Sequence, residues 1–202
     1  MTREEANKAL LKAIEEGDVH KMELAISQGA DVNATTTTEP HHPFILLAAR
    51  SVNPQLCQIL IDNGANVNAR NDDGTTALME ARSAAVAKTL IRYRAYVNAK
   101  NNRGQTALML VINQNSEESA LDHFNVLLNC MASPFAKDNE GNDVFYYIDH
   151  NKKEGWIDEE EANRHKNALI AAQNELKIVF RPQLKTPLPP QPIIIQSKKR
   201  VR

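Results

Sequence analysis

The chain has 202 residues, 42% of them hydrophobic and 24% charged, the size and balance of one ordinary water-soluble domain with a buried core. Its net charge of -1 is unevenly spread: residues 181–202 carry six basic side chains (Arg181, Lys185, Lys198, Lys199, Arg200, Arg202) and no acids, which leaves 18 of the 24 basic residues against 25 acids over 1–180, about -7 for the body and +6 for the tail. So acidic a body argues against non-specific nucleic-acid binding through the folded part, the apolar runs are too short to span a membrane, and no apolar signal-peptide core follows Thr2-Arg3-Glu4-Glu5.

In chain order, Thr2 with Glu5 forms a capping box that opens a first helix, with Leu10, Leu11 and Ile14 on its apolar face. Gly17-Asp18 turns the chain into a second helix, and Gly29-Ala30-Asp31-Val32-Asn33-Ala34 closes a unit over 2–34. An eight-residue loop, Thr35-Thr36-Thr37-Thr38-Glu39-Pro40-His41-His42, leads to Pro43-Phe44-Ile45-Leu46-Leu47-Ala48-Ala49. Leu56, Ile59 and Leu60 then give a helical stripe, and Gly64-Ala65-Asn66-Val67-Asn68-Ala69 ends a unit over 35–69. The third unit, 70–99, is about three residues short between its helices, so Arg82-Ser83-Ala84 must turn abruptly before Arg94-Ala95-Tyr96-Val97-Asn98-Ala99.

The fourth unit, 100–136, has about four extra residues near 113–118, then Leu121, Phe124, Leu127 and Leu128, and closes on Met131-Ala132-Ser133-Pro134-Phe135-Ala136. Residues 137–178 form a C-terminal cap whose last helix is opened by Asp158 with Glu161. From Arg181-Pro182 to Gln191-Pro192 the tail holds five prolines without helical periodicity, so 181–202 is expected to be extended and disordered. Cys57 and Cys130 lie in separate apolar runs as free thiols, which sets a reducing, cytoplasmic compartment as the expectation.

The equivalent alanines Ala34, Ala69, Ala99 and Ala136 are 35, 30 and 37 residues apart. A recurrence near 33 residues signals a stack of similar units with a continuous outer surface in place of a central pocket. Asn71-Asp72-Asp73-Gly74-Thr75-Thr76-Ala77-Leu78-Met79-Glu80-Ala81 resembles the ankyrin consensus, in which a hairpin Gly precedes a Thr-Pro-Leu-His-x-Ala helix start. Asn101-Asn102-Arg103-Gly104-Gln105-Thr106-Ala107-Leu108-Met109 repeats it, Asp138-Asn139-Glu140-Gly141-Asn142-Asp143-Val144-Phe145 is a weaker copy, and Pro43 to Ala49 is similar again. The resemblance spans roughly 4–177. It implies an all-α solenoid of about five helix–turn–helix units joined by short β-hairpin loops. It also implies that Asn33, Asn68 and Asn98 tie each hairpin to the next through side-chain bonds to backbone, a role that suits Asn in turns.

Ankyrin proteins hold other proteins through hairpin tips and the concave inner-helix face, so the resemblance implies a non-enzymatic protein–protein interaction module without a cofactor or small-molecule substrate. Carried over by position, the contact residues are Glu39, His41, His42 and Arg50 in the second unit, and Arg70, Asp72, Asp73 and Thr75 in the third. Lys100, Asn102, Arg103, Gln105, Asn113 and Gln114 follow in the fourth, and Lys137, Asn139, Glu140 and Asn142 in the last. Their mixed charges suit a polar protein surface. Replacing Arg70, Arg103 and Gln105 together should abolish capture and leave the melting curve intact.

Other motifs carry weaker chemistry. His41-His42 in an extended hairpin point to opposite sides and cannot readily share an ion. Asp122-His123 and Asp149-His150 do not face one another on a helix, and no nucleophile accompanies them. Residues 150–161 align with a twelve-residue calcium loop at Glu154, Gly155, Ile157, Asp158 and Glu161, yet place His150 and Lys152 where oxygens are needed. A calcium sensor is one alternative. The bland alternative is an inter-helix loop whose Trp156 and Ile157 cover the end of the stack. A further alternative is a regulatory or bacterial effector protein that enters a host nucleus by Lys198-Lys199-Arg200-Val201-Arg202. Thr186-Pro187-Leu188-Pro189-Pro190-Gln191-Pro192 is also able to lie on an aromatic-lined groove as a polyproline helix.

Overall fold

The computed structural model describes residues 1–113 and 119–179, the side chains of 113, 119, 120 and 175–179 excepted. Among the described residues it holds ten α-helices: α1 (Arg3–Glu16), α2 (Val19–Ser27), α3 (Phe44–Ala49), α4 (Pro54–Asp62), α5 (Ala77–Glu80), α6 (Ala84–Arg92), α7 (Ala107–Leu110), α8 (Ser119–Asn129), α9 (Val144–Lys153) and α10 (Glu159–Val179), with one 3-10 turn at Val111–Asn113. They stand in two rows. The first helix of each pair packs on the next first helix, α1 on α3, α3 on α5, α5 on α7 and α7 on α9, while α2, α4, α6, α8 and α10 line up behind. The fold is all-α, and among the described residues the β-structure of its hairpins amounts to single antiparallel bridges, Thr35 with Pro43 and Arg70 with Thr76.

One device ends the rear helices and explains the recurrent small-residue couple. The N–H groups of Ala65, Ala95 and Ala132 donate back to the carbonyls of Leu60, Leu90 and Leu127 at 2.9–3.0 Å, and Ala30 does the same to Ala25. Such a closure needs a left-handed residue just before the donor. Gly29 and Gly64 supply it at φ 93° and 91°, but Arg94 and Met131 are forced into it at φ 67°. The leucines that receive these bonds are fully buried, so the cap also places the apolar end of each rear helix against its neighbours.

The short third unit turns as its sequence demands. α5 is only four residues long, and Ser83 caps α6 by accepting from the Val86 N–H at 3.2 Å. At the N-terminus the Thr2–Glu5 box is made in both directions, Thr2 N–H to the Glu5 carboxylate at 2.8 Å and Glu5 N–H to the Thr2 hydroxyl at 3.2 Å. Asp158 accepts from the Glu161 N–H at 2.7 Å to open α10. Residues 181–202, read as a disordered tail, lie outside the described residues.

Candidate partner-binding surface

Each of the last three hairpins is built on one side chain. Asn71 accepts from the N–H groups of Asp73 and Thr75, Asn101 from those of Arg103 and Gln105, and Asp138 from those of Glu140 and Asn142, all at 2.8–3.1 Å. A short side chain that satisfies two backbone donors fixes a tight turn. The tips then nest. Asn102 donates from its backbone to Asp73 and from its side chain to Asp72, and Asn139 repeats this onto Arg103 and Asn102, at 2.8–3.0 Å. Gly104 is what permits the approach: at φ 77° it is left-handed, and an added Cβ would lie 2.4 Å from the Asn139 side-chain oxygen and 2.7 Å from its backbone nitrogen.

A second ladder runs behind the tips. Asn33 donates to the Gly64 carbonyl and accepts from Asn66 N–H, Asn68 bridges Arg94 and Tyr96 in the same way, and Asn98 bridges Met131 and Ser133, at 2.7–3.2 Å. The role that the resemblance gave these asparagines is the one they have. The ladder starts on Asn7 of α1, which accepts from Asp31 N–H at 2.7 Å.

Several of the expected contact residues are therefore tied into the frame. Arg70 donates to two carbonyls, those of Gly74 and Lys100, each at 2.7 Å, and Lys100 reaches the Lys137 carbonyl at 2.7 Å. The triple replacement expected to spare the melting curve would remove two cross-links: the one made by Arg70, and the one that Gln105 makes to the Tyr147 hydroxyl at 2.9 Å. His41 meets the exposed Asp72 carboxylate through its backbone N–H at 2.9 Å and its ring at 3.1 Å, and these bonds hold the Asp72 pKa below its ordinary value. Arg50 forms a two-pronged, half-buried pair with Glu80 of the next unit at 3.0 and 3.1 Å.

The others are freer. The Asp73 and Arg103 side chains are exposed and make no hydrogen bond or ion pair among the described residues, and Glu39 and Lys137 are likewise exposed. Thr75, His42 and Asn142 are half-buried, and Glu140 touches Asn142 at 3.2 Å. The expected contacts Asn113, by its side chain, and Gln114 lie outside the described residues.

The structure adds a site that the sequence did not reveal. A groove of about 480 Å³ lies between the last two hairpins and α9, walled by Arg103, Asp138, Glu140, Tyr146, His150 and Trp156. Tyr146 and His150 stack at 5.9 Å and 7°, and Trp156 meets His150 edge-on at 6.1 Å. Trp156 is 52% exposed and Tyr146 47%, so only Ile157 of the expected Trp–Ile cover is buried. Beneath them the Tyr147 hydroxyl donates to Asp138 at 2.7 Å. Burial pushes the Asp138 carboxyl up, but hydrogen bonds from Tyr147, Asn142 and Glu140 outweigh it and hold the pKa low. Burial raises the Tyr147 hydroxyl.

The segment aligned with a calcium loop has its first four residues in α9. There the buried Asn151 donates to the Ile112 carbonyl at 3.0 Å, and Lys152 pairs with Glu159. No cluster of three metal-ligating side chains occurs among the described residues. Cys57 is buried, and desolvation pushes its thiol up to about 12, which makes it an inert core side chain.

A family model described as ankyrin repeats, three copies, matches residues 10–101 and 45–138. Over 75 residues, 37% of its length, the chain is 32% identical to M-phase phosphoprotein 8 of Mus musculus and spans 9% of that protein.

Proposed function

Because this chain belongs to the ankyrin-repeat family, we propose that it binds another protein through its hairpin tips and the face of its first-row helices. The observation that carries this reading is the division of labour along the tips. One set of side chains locks backbone to backbone, while Asp73 and Arg103 stand exposed and uncommitted beside them. A rigid mount with free charged ends loses little conformational entropy on binding. Glu39, Lys137 and Glu140 extend the same edge.

Family membership supports a binding role over a catalytic one, and free Cys57 and Cys130 support a reducing, cytoplasmic compartment. The acidic body favours a protein partner over nucleic acid. A regulatory or effector role with nuclear entry rests on the sequence of Lys198–Arg202 alone, and a tagged copy lacking those five residues tests it.

The test of the main reading is capture from lysate by the full chain in three forms. Asp73→Lys with Arg103→Glu should lose the captured set at an unchanged melting temperature. Gln58→Ala with Lys88→Ala, on exposed rear helices α4 and α6, should keep it. Loss in the rear-face form and retention in the tip form would reverse the assignment.

A further inference from the structure

We propose that the aromatic groove at the C-terminal end of the stack is a site for a proline-rich basic segment, and that its occupant is residues 181–192 of this same chain. The inference stands apart from the identity of any outside partner. Two features make the groove fit. Its rings are held in a row by mutual contact, Tyr146 on His150 and His150 on Trp156, and Tyr147 braces Tyr146 edge-on at 5.7 Å. Neither the Tyr146 hydroxyl nor the Trp156 indole N–H has a hydrogen-bond partner among the described residues. A polyproline helix has no internal hydrogen bonds. It presents pyrrolidine rings to flat aromatic faces and bare carbonyls to such donors.

The occupant is chosen by charge and by reach. Asp138 and Glu140 line the groove against a single cation, Arg103, while 181–192 carries two basic residues, Arg181 and Lys185, and no acid, with Lys198, Lys199, Arg200 and Arg202 following it. The body of about -7 and the tail of +6 attract each other at the range of the Debye length. α10 runs antiparallel to α9, with Lys152 beside Glu159 and Asp149 beside Lys166. Tyr146 is thus level with the middle of α10, and Val179 lies roughly 16 Å further on at 1.5 Å per residue. Residues 180–187, at about 3.1 Å each when extended, cover some 25 Å. That length is enough to bring Pro187, Pro189, Pro190 and Pro192 within reach of the groove. A tether of that length gives an effective concentration on the order of 1 mM.

Trp156 is the one tryptophan of the chain, so its fluorescence reports on the groove directly. The test is acrylamide quenching of Trp156 in the full chain, in a form with Pro187, Pro189, Pro190 and Pro192 all replaced by Ala, and in Tyr146→Ala. The proline form leaves residues 1–179 untouched. A segment whose dissociation constant is near its effective concentration is about half bound. Quenching should therefore rise roughly twofold when the prolines are lost, and adding the proline changes to Tyr146→Ala should add nothing. Equal quenching in the wild type and the proline form overturns the proposal. Protection that grows with protein concentration overturns it too, because the occupant would then be the tail of a second copy. Neither readout involves an outside partner, so failure here leaves the tip-binding reading standing.

Discussion

Acid should loosen the C-terminal part of the stack first, through His123. This residue of α8 is 2% exposed, and desolvation lowers its pKa to about 4 from an ordinary 6.5. Above pH 6.5 both folded and unfolded chains hold it neutral, and its full contribution to stability is present. Between 6.5 and 4 the unfolded chain takes up a proton that the folded one refuses, so stability falls as the pH falls. At pH 5 the linkage relation gives a loss of about 2 kcal/mol, rising to about 3 kcal/mol below pH 4. His165 of α10, packed edge-on against Phe124 at 4.8 Å and lowered chiefly by burial, acts in the same direction. Because a repeat array need not melt in one step, the assay is amide hydrogen exchange of α8 at pH 7.5 and pH 5.0, corrected for intrinsic rates. In His123→Leu the opening free energy should fall by about 2 kcal/mol less between the two pH values than in the wild type. An equal fall in both would show that the imidazole is not the group that titrates.

Arg94→Gly and Met131→Gly should each stabilise the fold by about 1 kcal/mol in urea melts, because a left-handed L-residue is strained where the equivalent Gly29 and Gly64 are not. Gly104→Ala should cost about 2 kcal/mol or more, since the new Cβ collides with Asn139 and the backbone stays left-handed. Asn98→Ala should cost roughly 1–2 kcal/mol by orphaning the Met131 carbonyl and the Ser133 N–H. Arg70→Ala should lower the melting temperature and Arg103→Ala should not, because only Arg70 links the Gly74 and Lys100 carbonyls; equal melting of the two variants would refute that distinction.

The frame was legible because its causes are local. A left-handed residue before an apolar donor, the capping Thr2 and Ser83 before α1 and α6, and an Asn at the foot of a hairpin are each written within five residues of the structure they produce. The short third unit was legible for the same reason: Ser83 directly before α6 forces the abrupt turn, while the extra residues expected near 113–118 in the fourth unit lie largely outside the described residues. Apart from the Asn33, Asn68 and Asn98 ladder, which the resemblance supplied, what escaped were the bonds whose acceptors lie about thirty residues away. Nothing near Arg70 announces that the Lys100 carbonyl will come within 2.7 Å, and nothing near Gln105 announces Tyr147. Trp156 was misjudged on hydrophobicity alone. The end of the stack is closed by Ile157, and the indole next to it rests on His150 with half its surface in water.

Two kinds of polar residue are thus mixed along one edge, and only geometry separates them. Arg70, Lys100, Asn102 and Asn139 spend their donors on the carbonyls of neighbouring hairpins, which removes rotamer freedom before any partner arrives. Their stiffness is what makes the intervening Asp73 and Arg103 useful, because a charge on a fixed tip can be met by an opposite charge in one register and repelled in the others. Substitutions at the two kinds of position should therefore separate experimentally. Changes at the cross-linking residues ought to weaken folding and binding together. Changes at Asp73 and Arg103 ought to alter binding alone, with a salt dependence that the cross-linking residues lack, since exposed charges are screened within about 10 Å at 0.1 M salt.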